Sequence, residues 1–213
     1  MSLKSLKEKV CNEIDKMGQQ LLSVSREIHA NPELGMKEYK AAALIAKTLE
    51  DNGIQVSRQA YGLETAFESE FGTGDCRVAL LAEYDALPNI GHACGHNLIA
   101  TAALGATLAL AKLNTELPGR IRFLGTPAEE NVGGKELMAR AGAFEEVDAA
   151  LMIHPSGVNA ATMPCICVAT AHVVYKGKAA HASVMPHRGI NALDALVTAY
   201  QSIAQLRQHI KPT

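Results

Sequence analysis

The chain has 213 residues, of which 48% are hydrophobic and 20% charged, with a formal net charge of -2. That length allows one sizeable core and part of a second domain, and that charge balance gives no electrostatic footprint for nucleic acid or an anionic membrane surface. The longest apolar stretch of helical length, 98–111, is too short and too rich in Ala and Gly to span a bilayer, so no membrane partner is expected either.

The opening MSLKSLKEK lacks the apolar core of an export signal. Five cysteines, at 11, 76, 94, 165 and 167, are odd in number and irregular in spacing, which makes a poor disulfide framework. Both features point to a reducing, cytoplasmic setting, where a Cys among His residues is a ligand or a nucleophile.

Leu6, Val10, Ile14, Met17, Leu21, Val24 and Ile28 recur at steps of three and four, which predicts one long helix ended by Asn31-Pro32. A second helix is expected over 37–52, with Gly53 as its stop. Strands are expected over 54–58, 65–71 and 77–82; the last, RVALLA, is continuously apolar, as a central strand covered on both faces would be. An Ala-rich helix over 97–113 follows, then a strand over 120–124, a helix over 135–141 and a strand over 149–153. This alternation predicts an α/β fold with a mixed central sheet and helices on both faces. After Pro164 the pattern restarts with a strand over 166–175 and a helix over 191–209. The expected organisation is therefore one domain over 1–164 and the start of a second over 165–213.

Four segments carry the polar chemistry: AEYDALP (82–88), GHACGHN (91–97), GTPAEENVGGK (125–135) and MIHPS (152–156). Each is read as lying at a strand end, and open α/β sheets bind ligands beyond the carboxyl ends of their strands. Cys94 and His96 are good donors for zinc and similar ions, or equally a buried thiol and a capping imidazole. Glu129 and Glu130 would repel each other unless a cation or proton separates them, though adjacent acids are often only a solvated loop. His154 ends an apolar strand, where a hydrogen-bonded core histidine is the ordinary alternative to a ligand. Convergence of Cys, His, Glu and His on one edge favours the metal reading over each separate alternative.

LAEYDALPNIGHACGHN, then TPAEENVGGK and LMIHP, closely resemble the M20 metallopeptidase/amidohydrolase family, in its branch of aminoacylase-like hydrolases, aminobenzoyl-glutamate hydrolase and M20-domain dipeptidases. REIHANPELGMKEYKAA resembles the family's N-terminal helix pair, and YKGKAAHASVMPHRGINALDAL the start of its smaller lid, or dimerisation, domain. The resemblance implies that Cys94, His96, Glu130 and His154 bind metal and that Glu129 is the general base. It further implies that Asp85 orients a ligand near the metal, and that His181, in the lid, stabilises the developing oxyanion, often across a subunit boundary. Two divalent ions, zinc or manganese, are implied in the complete enzyme, with a small amide or dipeptide substrate and assembly as a homodimer or larger homo-oligomer through the lid. Asn97 departs from the Asp that many family members have after CGH. The family's last metal ligand, a distant C-terminal His, has no counterpart within these residues, so the chain alone is expected to be weakly active at best.

The implied chemistry is metal-assisted hydrolysis of an amide bond in an N-acyl amino acid, dipeptide or aminobenzoyl-glutamate type of substrate. Two rivals come from other classes. A thiol hydrolase with Cys94 as nucleophile would leave Glu129 and Glu130 without a task. A truncated, non-catalytic metal-binding or assembly module of the same fold would keep the metal and lose the turnover.

Overall fold

The N-terminal apolar stripe runs through two helices, α1 (Leu3–Lys16) and α2 (Gly18–Ala30), where periodicity alone predicts one. The break falls at Met17, whose φ of -95° and ψ of 2° leave the helical range, next to Gly18, a weak helix former. Met17 itself is buried, so the apolar period continues across a joint in the backbone. The computed structural model describes residues 2–114, 117–162 and 170–211.

Helix α3 (Tyr39–Asp51) ends at Asn52, and Gly53 follows with the φ of +80° that its lack of a Cβ permits. Strands β1 (Ser57–Arg58), β2 (Phe67–Gly72) and β3 (Arg77–Glu83) come next, then α4 (His96–Lys112), β4 (Arg120–Thr126), α5 (Gly134–Arg140) and β5 (Ala149–Leu151). The sheet order is β1-β2-β4-β3-β5. β3 pairs in parallel with β4 and with β5, whereas β2 pairs antiparallel with β4 and with β1. The expected mixed sheet is thus present, with β3 flanked on both sides, as its unbroken apolar run implies.

Alternation along the strands divides the core. Phe67, Ala82, Tyr84 and Phe123 pack with Leu21, Val24 and Ile28 of α2, Ile45 and Leu49 of α3, and Leu104 and Leu108 of α4. Ala79, Leu81 and Leu124 pack on the other side with Met138 of α5 and Ala143. Helices therefore cover both faces. Each fully buried Leu or Ile contributes about 1.5–3 kcal/mol by leaving water. β1 is shorter than the expected strand over 54–58, because Ile54 is drawn into the core and only Ser57 and Arg58 pair. β5 is also shorter than expected; it forms the sheet edge, its three residues are exposed, and it stops before His154.

The chain divides into two compact units, Met1–Asn159 and Ala160–Thr213. The expected boundary at 164, Cys165, Cys167 and the first residues of the expected strand over 166–175 lie outside the described residues. Its described part, 170–175, is not a strand. A strand exists only through a partner, and the second unit has one isolated bridge among its described residues, between Lys178 and Ile190. Its helix α6 (Ala192–Gln205) is capped by Asn191, whose side chain accepts from the Leu193 N–H at 3.1 Å. Leu193, Leu196, Val197, Tyr200 and Ile203 are exposed along it.

Candidate metal centre

Parallel pairing of β3 with β4 and β5 brings three strand carboxyl ends to one edge. β3 leads into Glu83, Tyr84 and Asp85; β4 into Pro127 and the two glutamates; β5 into His154 and Pro155. GHACGHN does not sit at a strand end of its own, as its sequence suggests. It closes the β3–α4 connection, and His96 is the first residue of α4. Three strand ends and one helix start therefore build the site.

His96 and Asp85 form its buried centre. The His96 Nδ1 lies 3.0 Å from Asp85 Oδ1, and both side chains are almost fully buried. Burial alone would push the imidazole pKa down, but the hydrogen bond and charge of Asp85 outweigh it and hold it up. Burial alone would likewise raise Asp85, but the same bond, with backbone help from Glu130 and Glu129, holds it below the usual carboxylate range. With Nδ1–H donated to Asp85, the His96 Nε2 lone pair is turned to the site. The second Asp85 oxygen accepts the Glu130 N–H at 3.0 Å, so one carboxylate ties the helix start to the PAEE loop.

That loop is also held from behind. Glu38, fully buried, accepts from the Ala128 N–H at 2.8 Å, the Thr65 hydroxyl at 2.8 Å and the Met36 N–H at 3.0 Å. Burial raises its pKa above the ordinary value even so. Ala128 adopts a φ of +59°, unusual for a residue with a side chain, and these contacts enforce it.

Around His96 Nε2 stand three carboxylates: Glu83 Oε2 at 3.5 Å, Glu130 Oε1 at 3.7 Å and Glu129 Oε2 at 3.9 Å. Cys94, half-buried, hydrogen-bonds with Glu130. That bond, then burial and the surrounding carboxylates, push its thiol up to about 11. His154 is exposed, three residues beyond β5, and its Nδ1 donates to the Pro155 carbonyl at 2.7 Å; its ring stands edge-on to His96 with centroids 6.0 Å apart. Glu129 has a raised pKa, chiefly from burial and then from the charge of Glu83, with Lys135 opposing.

Ligand atoms of Cys94, His96 and Glu130 lie within 4.8 Å of one another, and so do those of Glu83, His96 and His154. Among the described residues, His96 Nε2, Glu130 Oε1 and Glu83 Oε2 are buried without a hydrogen-bond partner. Buried polar atoms left unpaired are costly, and two carboxylate oxygens on either hand of one imidazole nitrogen suit divalent-cation binding. The donor set therefore fits a metal centre.

Six of the seven residues singled out by sequence, Asp85, Cys94, His96, Glu129, Glu130 and His154, come together here. The seventh, His181, belongs to the second unit, where it is exposed and its Nδ1 accepts from the Ser183 N–H at 3.3 Å. Asn97 points away from this cluster in its bonding: its Nδ2 donates to Ser25 Oγ at 3.0 Å and ties α4 to α2. Glu83 and Lys135, which form a close ion pair, are the residues that sequence reasoning missed. The available signal was a glutamate closing an otherwise apolar strand.

The sequence matches peptidase family M20/M25/M40 over residues 79–212. It is 43% identical to the Xaa-Arg dipeptidase of Mus musculus, over 99% of this chain and 52% of that protein. It is 36% identical to a p-aminobenzoyl-glutamate hydrolase polypeptide of Escherichia coli K12, over 90% of this chain and 44% of that protein. The chain thus spans about half the length of the curated relatives it matches. Among solved structures it resembles the Bacillus subtilis YXEP protein, described as a dinuclear metal binding peptidase of the M20 family. The TM-score is 0.59 and the identity 29%, covering 64% of this chain and 42% of that one. Motif, topology and clustered donors agree with these matches, and the chain belongs to the M20 peptidase family.

Proposed function

We propose that this chain carries the metal-binding and proton-transferring residues of a centre that hydrolyses an amide or peptide bond in a small substrate. The substrate class is an N-acyl amino acid, a dipeptide or an aminobenzoyl-glutamate type of compound, in line with the activities for which the two relatives above are named. The observation that carries the reading is the set of unpartnered buried donors around His96 Nε2.

Cys94, His96, Glu130 and His154 would hold the divalent ions, zinc or manganese, which supply Lewis acidity toward water and the scissile carbonyl. Asp85 keeps His96 in the tautomer that offers Nε2. Glu129 is the general base: it takes a proton from the attacking water and returns it to the leaving amine, a task suited to a carboxylate whose pKa is raised. His181, on the second unit, is assigned to the oxyanion that forms at the carbonyl. Assembly as a homodimer or larger homo-oligomer through the second unit, with a cytoplasmic location, completes the proposal. No helix among the described residues is long and apolar enough to cross a membrane.

Elemental analysis of protein purified without chelator, beside Cys94→Ala, tests the reading together with hydrolysis assays on N-acyl amino acids and dipeptides. Bound zinc or manganese that drops in the variant, with chelator-sensitive turnover, supports it. Equal metal content in both proteins would remove Cys94 from the ligand set. Turnover that survives chelation would favour a thiol hydrolase instead.

A further inference from the structure

We propose that Glu83 is a further metal ligand of this centre and that Lys135 is the positioning residue that presents it; the inference rests on the metal-centre reading above. Glu83 closes β3, and its side chain is only 1% exposed. Its two oxygens have different surroundings. Oε1 accepts from the Lys135 ammonium, which comes from the start of α5. Oε2 is buried and has no hydrogen-bond partner among the described residues.

The direction of Oε2 is specific. It lies 3.5 Å from His96 Nε2, beyond hydrogen-bond length for a nitrogen and an oxygen. Two ligands held at about 2.1 Å from one tetrahedral ion stand about 3.4 Å apart, which this separation matches. Glu83, His96 and His154 place their ligand atoms within 4.8 Å of one another. A lysine–glutamate pair that served packing alone would gain by giving both oxygens to donors. Here the ammonium takes one oxygen and leaves the other toward the histidines. Lys135 also offsets one negative charge in a pocket that already holds Glu129, Glu130 and Asp85. The donor set then comprises Cys94, His96, Glu130, His154 and Glu83.

The test is the affinity of the chelator-stripped 213-residue chain for Zn2+, read by competition with a chromophoric chelator. Glu83→Gln keeps the shape of the side chain and removes the anionic donor; it is expected to weaken binding by about 100-fold or more, beyond the roughly 10- to 100-fold lost with groups that only support a ligand. The double variant Glu83→Gln/Lys135→Gln replaces the buried ion pair by two neutral amides that can bond each other. It decides the matter if the single variant fails to fold, and the same loss is expected. Wild-type affinity in either folded variant overturns the role of Glu83. Cys94→Ala, measured alongside, separates the two readings. If Cys94→Ala loses Zn2+ and Glu83→Gln does not, this proposal falls and the metal centre stands. If the unmodified chain binds no Zn2+, both fall.

Discussion

Pro155 sits over Gly95 so closely that a β-carbon on the glycine would stand 2.9 Å from the proline Cγ. The glycine, at a φ of +76°, caps α4 between Cys94 and His96, and the proline follows His154. This contact holds the segment that carries His154, beyond β5, against the helix start. Gly95→Ala would meet both the clash and the left-handed backbone, at a cost of about 1–3 kcal/mol. Expected outcomes are a lower denaturation midpoint and weaker metal binding, measured by urea titration and chelator competition. Unchanged metal affinity would show that His154 reaches the site without this contact.

The adjacent carboxylates should separate by variant. Glu129→Gln preserves shape but cannot accept a proton, so turnover of an active form should fall by about 100-fold or more while metal content holds. Glu130→Gln should lower metal content as well as turnover. Near-normal turnover in Glu129→Gln would end its assignment as base.

Glu38 holds the PAEE loop from beneath with three accepted hydrogen bonds. Glu38→Ala leaves the Ala128 and Met36 N–H groups and the Thr65 hydroxyl without this acceptor, and the expected destabilisation is about 3 kcal/mol or more. Thermal unfolding beside a metal titration checks it, since a loop freed at Ala128 should also bind metal less tightly.

Acid sensitivity is expected from the far end of β3. Arg77, buried, pairs with Glu70 and Glu146 at 2.8 Å each. Burial raises the Glu70 pKa, but hydrogen bonds from Arg77 and Arg122 outweigh it and the net shift is downward; Glu146 is lowered chiefly by its bond to Arg77. A carboxylate lowered in the fold contributes stability that is present above its unfolded pKa, near 4.5, and lost as pH falls through the folded value. Glu38 acts in the opposite sense, its raised pKa favouring the fold at lower pH. Urea midpoints of the wild type and Arg77→Leu should therefore converge as pH falls from about 6 to about 3. A constant gap would mean that the pairs contribute nothing through ionisation.

Much of this architecture was legible from residue pattern. RVALLA marks a strand buried on both faces, and β3 occupies that position because parallel neighbours flank it on either side. Cys94, His96, Glu129 and Glu130 were legible through the convergence of their segments and through the family resemblance, since each pair alone also suits a buried thiol or a solvated loop. The joint at Met17 was hidden, since the helices on either side keep one apolar period and Gly18 alone hinted at it. Glu83 was hidden for another reason: a single acidic residue at a strand end looks solvated until the fold puts Lys135 beside it. His181 carried a signal only through the family resemblance, since nothing in its local pattern ties it to the other candidates.

The centre draws its donors from elements of different kinds. His96 and Asp85 are anchored on a long buried helix and a central strand, whereas His154 stands exposed beyond a three-residue edge strand. The hydrogen bond between Asp85 and His96 therefore joins the end of the central strand to the start of that helix, and two elements together fix the direction of His96 Nε2.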